Sequence, residues 1–248
     1  MLTDELLSSL FDGQSSHILV APMAAWLAAS RRFTAFVTEN QPKIRKKIRS
    51  THEPESLLDL RLELETAYLL LRPIRSAPRA FGERSLSVAY EPQLSEGVRS
   101  ADFAVTFTTS LVFMVEVTRL RPAASSATAP LLGDRFTSLL CSKLGQLQPK
   151  HSNVLVVGLE AMPTPADVSA AMVRLQQRAE ANDPAVIQRQ GYLDRPDFFR
   201  HYHRLSGLLI RTSASLQPSE PPILWFNSQA RIPLPGKVRT VLGRAAYS

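Results

Sequence analysis

Cysteine is nearly absent: Cys141 is the only one in 248 residues. A single thiol makes neither an internal disulfide nor a paired-cysteine zinc site, which fits a reducing cytoplasm. Glycine is also scarce, ten in all, and none falls in a phosphate-binding loop or a nucleophile elbow. Basic residues are missing from the start, Met1-Leu2-Thr3-Asp4-Glu5, where a secretory signal needs positive charge. The longest apolar run, 18–29, is interrupted by Pro22 and is too short to cross a bilayer. No internal repeat is visible. Disulfide scaffolds, zinc fingers, P-loop enzymes and membrane spans are thereby set aside, and the expectation is a cytoplasmic protein with no membrane partner.

What is present is apolar bulk and positive charge. Hydrophobic residues make up 44% of the chain, enough for one substantial core. The net charge of +7 and a pI near 9.9 favour an anionic partner. The excess is local. Residues 31–49 hold seven basic side chains against Glu39 alone, and residues 231–244 hold four with no acid.

The segment Arg99 to Arg121 alternates with period two and reads as a hairpin turning at Thr108, Thr109 and Ser110. Folded about Thr109, it sets Phe107 against Leu111, Val105 against Phe113 and Asp102 against Glu116. Both faces are largely apolar, as in a hairpin buried on two sides. Opposed side chains have Cβ atoms roughly 4.5–5.5 Å apart, and like charges there destabilise. Such a carboxylate pair must share a proton, meet a cation or splay into water. A hard divalent ion, which prefers oxygen ligands, resolves the conflict.

Around the hairpin the periodicity predicts a helix over Met23 to Val37, running into Lys43-Ile44-Arg45-Lys46-Lys47-Ile48-Arg49. There Ile44 and Ile48 share a face, and Lys43, Arg45, Lys46, Lys47 and Arg49 cover the rest. That surface is either a phosphate-contacting helix or a solvated one. A helix opens at Pro54 and ends near Arg72, with Glu63 on the flank of its apolar stripe and Glu65 turned more nearly away. A strand follows within 81–97. Beyond the hairpin, 122–130 reads as a mobile loop, and Asp134 to Gln148 as a helix. On that helix Lys143 falls in the middle of the apolar face, where an amine is costly unless its tip escapes or meets an acid. Asn153 to Leu159 is a continuous apolar strand, expected to be central and parallel to a neighbour. A helix over 166–181 comes next, with strands at 205–211 and 223–227. His201 and His203, two apart on a helix, face different ways and read as aromatic packing. The basic tail after Arg231 either adds phosphate contacts or frays.

An acid opening one strand and an acid-x-lysine closing the next is the signature of the PD-(D/E)XK nuclease superfamily. Ser100-Ala101-Asp102 and Glu116-Val117-Thr118 resemble it, with Thr118 standing where the family has lysine. The order helix, three strands, helix, strand over Pro54 to Glu160 also resembles that family's core, and covers less than half the chain. The resemblance implies an α/β, restriction-endonuclease-like core with a mixed central sheet flanked by helices. To this are added a helical N-terminal segment (1–50) and a C-terminal extension (161–248). It implies Asp102, Glu116 and the Val117 carbonyl as ligands of Mg²⁺ or Mn²⁺, with Glu63 as the helix acid and Glu65 in reserve. Lys143 would replace the missing lysine, and Gln146 would position water or backbone. The implied activity is phosphodiester hydrolysis in nucleic acid, DNA or RNA undecided, with a homodimer left open. Two other readings stand beside it: a catalytically degenerate module on the same fold, and an α/β protein that joins partner proteins.

Overall fold

Four short helices lead the chain in the computed structural model, which describes residues 3–72, 86–93, 100–108, 110–122, 132–212 and 221–247. They are α1 (Thr3–Phe11), α2 (Val20–Ala29), α3 (Arg31–Glu39) and α4 (Gln41–Ser50). The single helix expected over 23–37 is broken at Ser30. Its backbone is extended, and its hydroxyl accepts from the Phe33 N–H at 3.2 Å, so α3 starts anew behind a serine N-cap. Pro54 sits in the first turn of α5 (Pro54–Leu71), which buries Leu60, Leu64, Ala67 and Leu71.

Six strands follow in one sheet of order β1 to β6. They are β1 (Leu86–Tyr90), β2 (Phe103–Phe107), β3 (Leu111–Arg119), β4 (Ser152–Leu159), β5 (Leu205–Thr212) and β6 (Ile223–Phe226). β1, β2 and β3 run antiparallel in sequence, β4 is parallel to both β3 and β5, and β6 is antiparallel to β5. All eight residues of β4 are buried, as a strand covered on both faces requires. The architecture is thus an α/β fold with a mixed six-stranded sheet flanked by helices.

Two hydrophobic clusters cover the two faces. One joins Leu6, Trp26, Phe33 and Ile44 to Leu64 of α5 and to Phe103, Val105 and Val115 of the sheet. The helical N-terminal segment therefore packs on the sheet. The other face carries α6 (Asp134–Leu144), α7 (Pro165–Glu180) and α8 (Arg195–Tyr202) over Leu155, Val157 and Leu208. Of the two readings left open for the basic tail, fraying is set aside by the last helix, α9 (Gly236–Tyr247). Val238 and Leu242 are buried in the first cluster, an apolar anchor hidden among basic residues.

α6 stops at Leu144, short of the expected Gln148. The chain turns there because Asn153 takes over the backbone of Gln148, accepting from its N–H and donating to its carbonyl, each at 2.9 Å. Of the strand expected within 81–97, residues 86–90 form β1. Residues 91–93 are described and lie beyond the strand, while Thr109, most of the 122–130 loop and residues 81–85 and 94–97 lie outside the described residues. Among the described residues no helix is long and apolar enough to cross a membrane.

Candidate functional site

The β2–β3 ladder pairs Phe107 with Leu111, Val105 with Phe113 and Phe103 with Val115. One step further, Asp102 faces Glu116 where the ladder ends. Val117 then has no ladder partner on β2, and its N–H donates instead to Asp102 Oδ2 at 2.7 Å. On an extended strand a residue's N–H and C=O leave the same edge, so the Val117 carbonyl lies on the Asp102 side.

Burial, together with the negative charges of Glu116 and Glu63, pushes the Asp102 carboxyl up to about 7; the Val117 N–H and Lys47 act against the rise. The carboxylates thus crowd one another electrostatically. Glu116 is itself buried and meets Lys143 of α6, whose Nζ lies 2.9 Å from Oε1. The same ammonium donates to Gln146 Oε1 at 3.1 Å. The apolar position of Lys143 is explained by this acid. Its stem crosses the hydrophobic layer and its tip ends on Glu116. Thr118 and Lys143 both line a groove that opens beside Glu116.

A second lysine arrives from the opposite layer. Lys47 of α4 bonds Glu63 of α5 at 2.6 Å and Glu91 at 2.8 Å, and its Nζ stands 4.9 Å from the centre of the Tyr90 ring. Burial works to lower the Lys47 pKa, but Glu63 and Glu91 outweigh it, and the net direction is upward. Burial and the carboxylates of Glu63, Glu91 and Asp102 likewise raise the Tyr90 hydroxyl, which stays protonated. Glu91 has a left-handed backbone, φ 44°, and its N–H donates to the Asp102 carbonyl at 2.8 Å, tying the end of β1 to the start of β2. Sequence reasoning missed Glu91 and Tyr90. The pairing of Tyr90 with Phe103 was the signal that brings them beside Asp102.

The remaining candidates are placed elsewhere. Glu65, expected to turn away from the apolar stripe, is buried and pairs with Arg211 of β5 at 3.0 Å. Its counter-ion lies on a distant strand, which helix periodicity cannot reveal. Of the basic residues on α4, Arg45 and Arg49 clamp Asp12, with Arg49 Nε 2.6 Å from Oδ2. Those hydrogen bonds, from Arg49 first and Arg45 second, hold the Asp12 carboxyl down to about 2. Lys43 donates to the Tyr90 carbonyl at 3.2 Å, and Lys46 is exposed. His201 lies 3.5 Å from Asp197 and tilts against Tyr192, while His203 packs on Phe199.

The chain matches no protein-family model, no curated protein and no solved structure. The chemistry of the site is therefore read from its own donors. Among the described residues no group of three or more His, Cys, Asp or Glu side chains is gathered to hold a metal ion. Glu63, whose negative charge acts on Asp102, is itself held by Lys47. Two carboxylates and a carbonyl nevertheless suit Mg²⁺, which takes one or two carboxylates and fills its octahedron with water and substrate phosphate. The excess of negative charge felt by Asp102 is the feature that such an ion would relieve.

Proposed function

We propose that the chain is a metal-dependent phosphodiester hydrolase acting on nucleic acid, with a restriction-endonuclease-like core over 54–160. The observation that carries this reading is the pairing of half-buried Asp102 with buried Glu116 at a sheet end, with the Lys143 ammonium 2.9 Å from Glu116. The order α5, β1, β2, β3, α6, β4 supports the reading, being the element order that the sequence resemblance implies.

Asp102, Glu116 and the Val117 carbonyl would hold one Mg²⁺ or Mn²⁺. When bound, the ion would lower the pKa of a water and neutralise the scissile phosphate. Lys143 supplies a cation on the face where Thr118 has none, positioned to stabilise charge that develops on the phosphoryl oxygens. Gln146 holds that ammonium through its Oε1 and so fixes its direction. Lys47 keeps Glu63 and Glu91 neutralised, which limits the negative charge that an incoming phosphate meets.

The test is a calorimetric Mn²⁺ titration of the wild type and of Asp102→Ala, followed by incubation with labelled oligonucleotides. Binding that Asp102→Ala abolishes, together with strand scission that Lys143→Met reduces by about 10²-fold or more, supports the hydrolase. A second reading draws on Thr118 and on a Lys143 already engaged by Glu116: a degenerate module that binds without cutting. Metal binding without scission selects it. Absence of metal binding removes both.

A further inference from the structure

Lys47 bridges two carboxylates that belong to different elements. Its Nζ lies 2.6 Å from Glu63 Oε1 on α5 and 2.8 Å from Glu91 Oε1 just beyond β1. The Glu63 side chain is 14% exposed and that of Lys47 30%, so their ion pair is drier than a surface pair and correspondingly stronger. Glu91 is pinned by its backbone, through the left-handed φ of 44° and the N–H given to the Asp102 carbonyl at 2.8 Å. The ammonium is thereby anchored at Glu91, and Glu63 is tied to the anchor.

Glu63 stands within electrostatic reach of Asp102, because its charge helps to raise the Asp102 pKa. Even so, among the described residues no three acids are gathered as a metal group. The backbone of α5 is fixed by its buried residues Leu60, Leu64 and Ala67. The Glu63 side chain is not fixed in the same way, since rotation about its own torsions re-aims the carboxylate without moving the helix. The contact with Lys47 is what sets its present direction.

We infer that Lys47 is a positioning residue, whose ammonium holds Glu63 back from an ion bound by Asp102 and Glu116. The inference rests on the hydrolase reading, which supplies the ion. With Glu63 restrained, the centre offers two carboxylates where the fold brings three within reach. Affinity for a hard cation rises with the number of charged ligands, so the restraint keeps the ion weakly held and readily exchanged.

Calorimetric Mn²⁺ titration of the full chain, without substrate, tests it through affinity and stoichiometry. Two double variants are compared with the wild type. Lys47→Met with Glu91→Gln frees Glu63, and Lys47→Met with Glu63→Gln removes it. Each takes away one charge of either sign, so net charge is unchanged and simple attraction of the cation is matched. Both lose Lys47 and one of its partners, and they differ only in which carboxylate remains. The variant that keeps Glu63 should bind one Mn²⁺ about tenfold more tightly than the wild type, or better. The variant that lacks Glu63 should stay within about twofold of the wild type. Equal gains in both variants, no gain in the first, a second ion per chain, or weaker binding in the second overturns the inference. Wild-type binding that neither variant changes leaves the hydrolase reading standing without this one. Absence of binding in all three removes both.

Discussion

Asp102 holds its proton about three powers of ten more tightly in the folded chain than an ordinary aspartate, whose pKa is near 3.8. Its protonated form is therefore favoured by folding. The associated stability is fully present below about pH 4 and is lost as pH rises through 7, on the order of 4 kcal/mol in all. Asp102→Asn keeps an oxygen for the Val117 N–H and removes the charge. In EDTA at pH 8 the variant should be more stable than the wild type, and the advantage should shrink towards zero near pH 4. Denaturant melts across that range measure it. An advantage that does not vary with pH would mean that crowding among Asp102, Glu116 and Glu63 is not its source.

At the scale of elements, α5 is fastened to the sheet by ions as well as by leucines. Glu55 and Asp59 take Arg119 of β3, and Glu65 takes Arg211 of β5. The Glu65–Arg211 pair is buried, and among the described residues Arg211 Nη1 has no hydrogen-bond partner. Removing one member strands the other charge, so Arg211→Met should cost about 3–5 kcal/mol. Adding Glu65→Leu should restore most of that loss, because the imperfectly paired ions are then both gone. Urea unfolding of the two variants decides it, and a single-variant cost below about 1 kcal/mol would show that the pair is effectively solvated.

The same element shows what a sequence can and cannot convey. The hairpin register was legible because a period of two and a short turn leave one pairing that buries Phe103, Val105 and Phe113 together. β4 was legible from its unbroken apolar run, and Lys143 from a charge placed on an apolar helix face. Glu65 was not. Its partner is 146 residues away, and nothing within α5 distinguishes it from a surface acid. The basic residues of α4 were visible as charge, but Asp12, Glu63 and Glu91 as their partners were fixed only by how α1, α4 and the end of β1 come together. Ser30 escaped notice because the apolar pattern continues on both sides of the break.

For the whole molecule, the helical start of the chain is a wall of the core. Phe33, Phe36, Ile44 and Ile48 share a cluster with Phe103 and Val105, and Phe36 packs at 5.8 Å on Tyr90. A chain lacking residues 1–50 would expose that face of the sheet to water, at roughly 1.5–3 kcal/mol for each large apolar side chain uncovered. Such a truncation should lose cooperative thermal unfolding and bind a dye specific for exposed apolar surface. A truncated chain that still melts sharply would instead make the segment a separable module.

Lys47 and Lys143 approach the carboxylates from opposite layers, and so the sheet end is also a clasp between the two halves of the protein. A cation settling between Asp102 and Glu116 would compete with Lys143 for Glu116, while Lys47 stays on Glu63 and Glu91. Filling the centre would then slacken α6 while it stiffens the strand ends, and occupancy would be felt far from the ion as a change in how firmly that layer holds to the sheet.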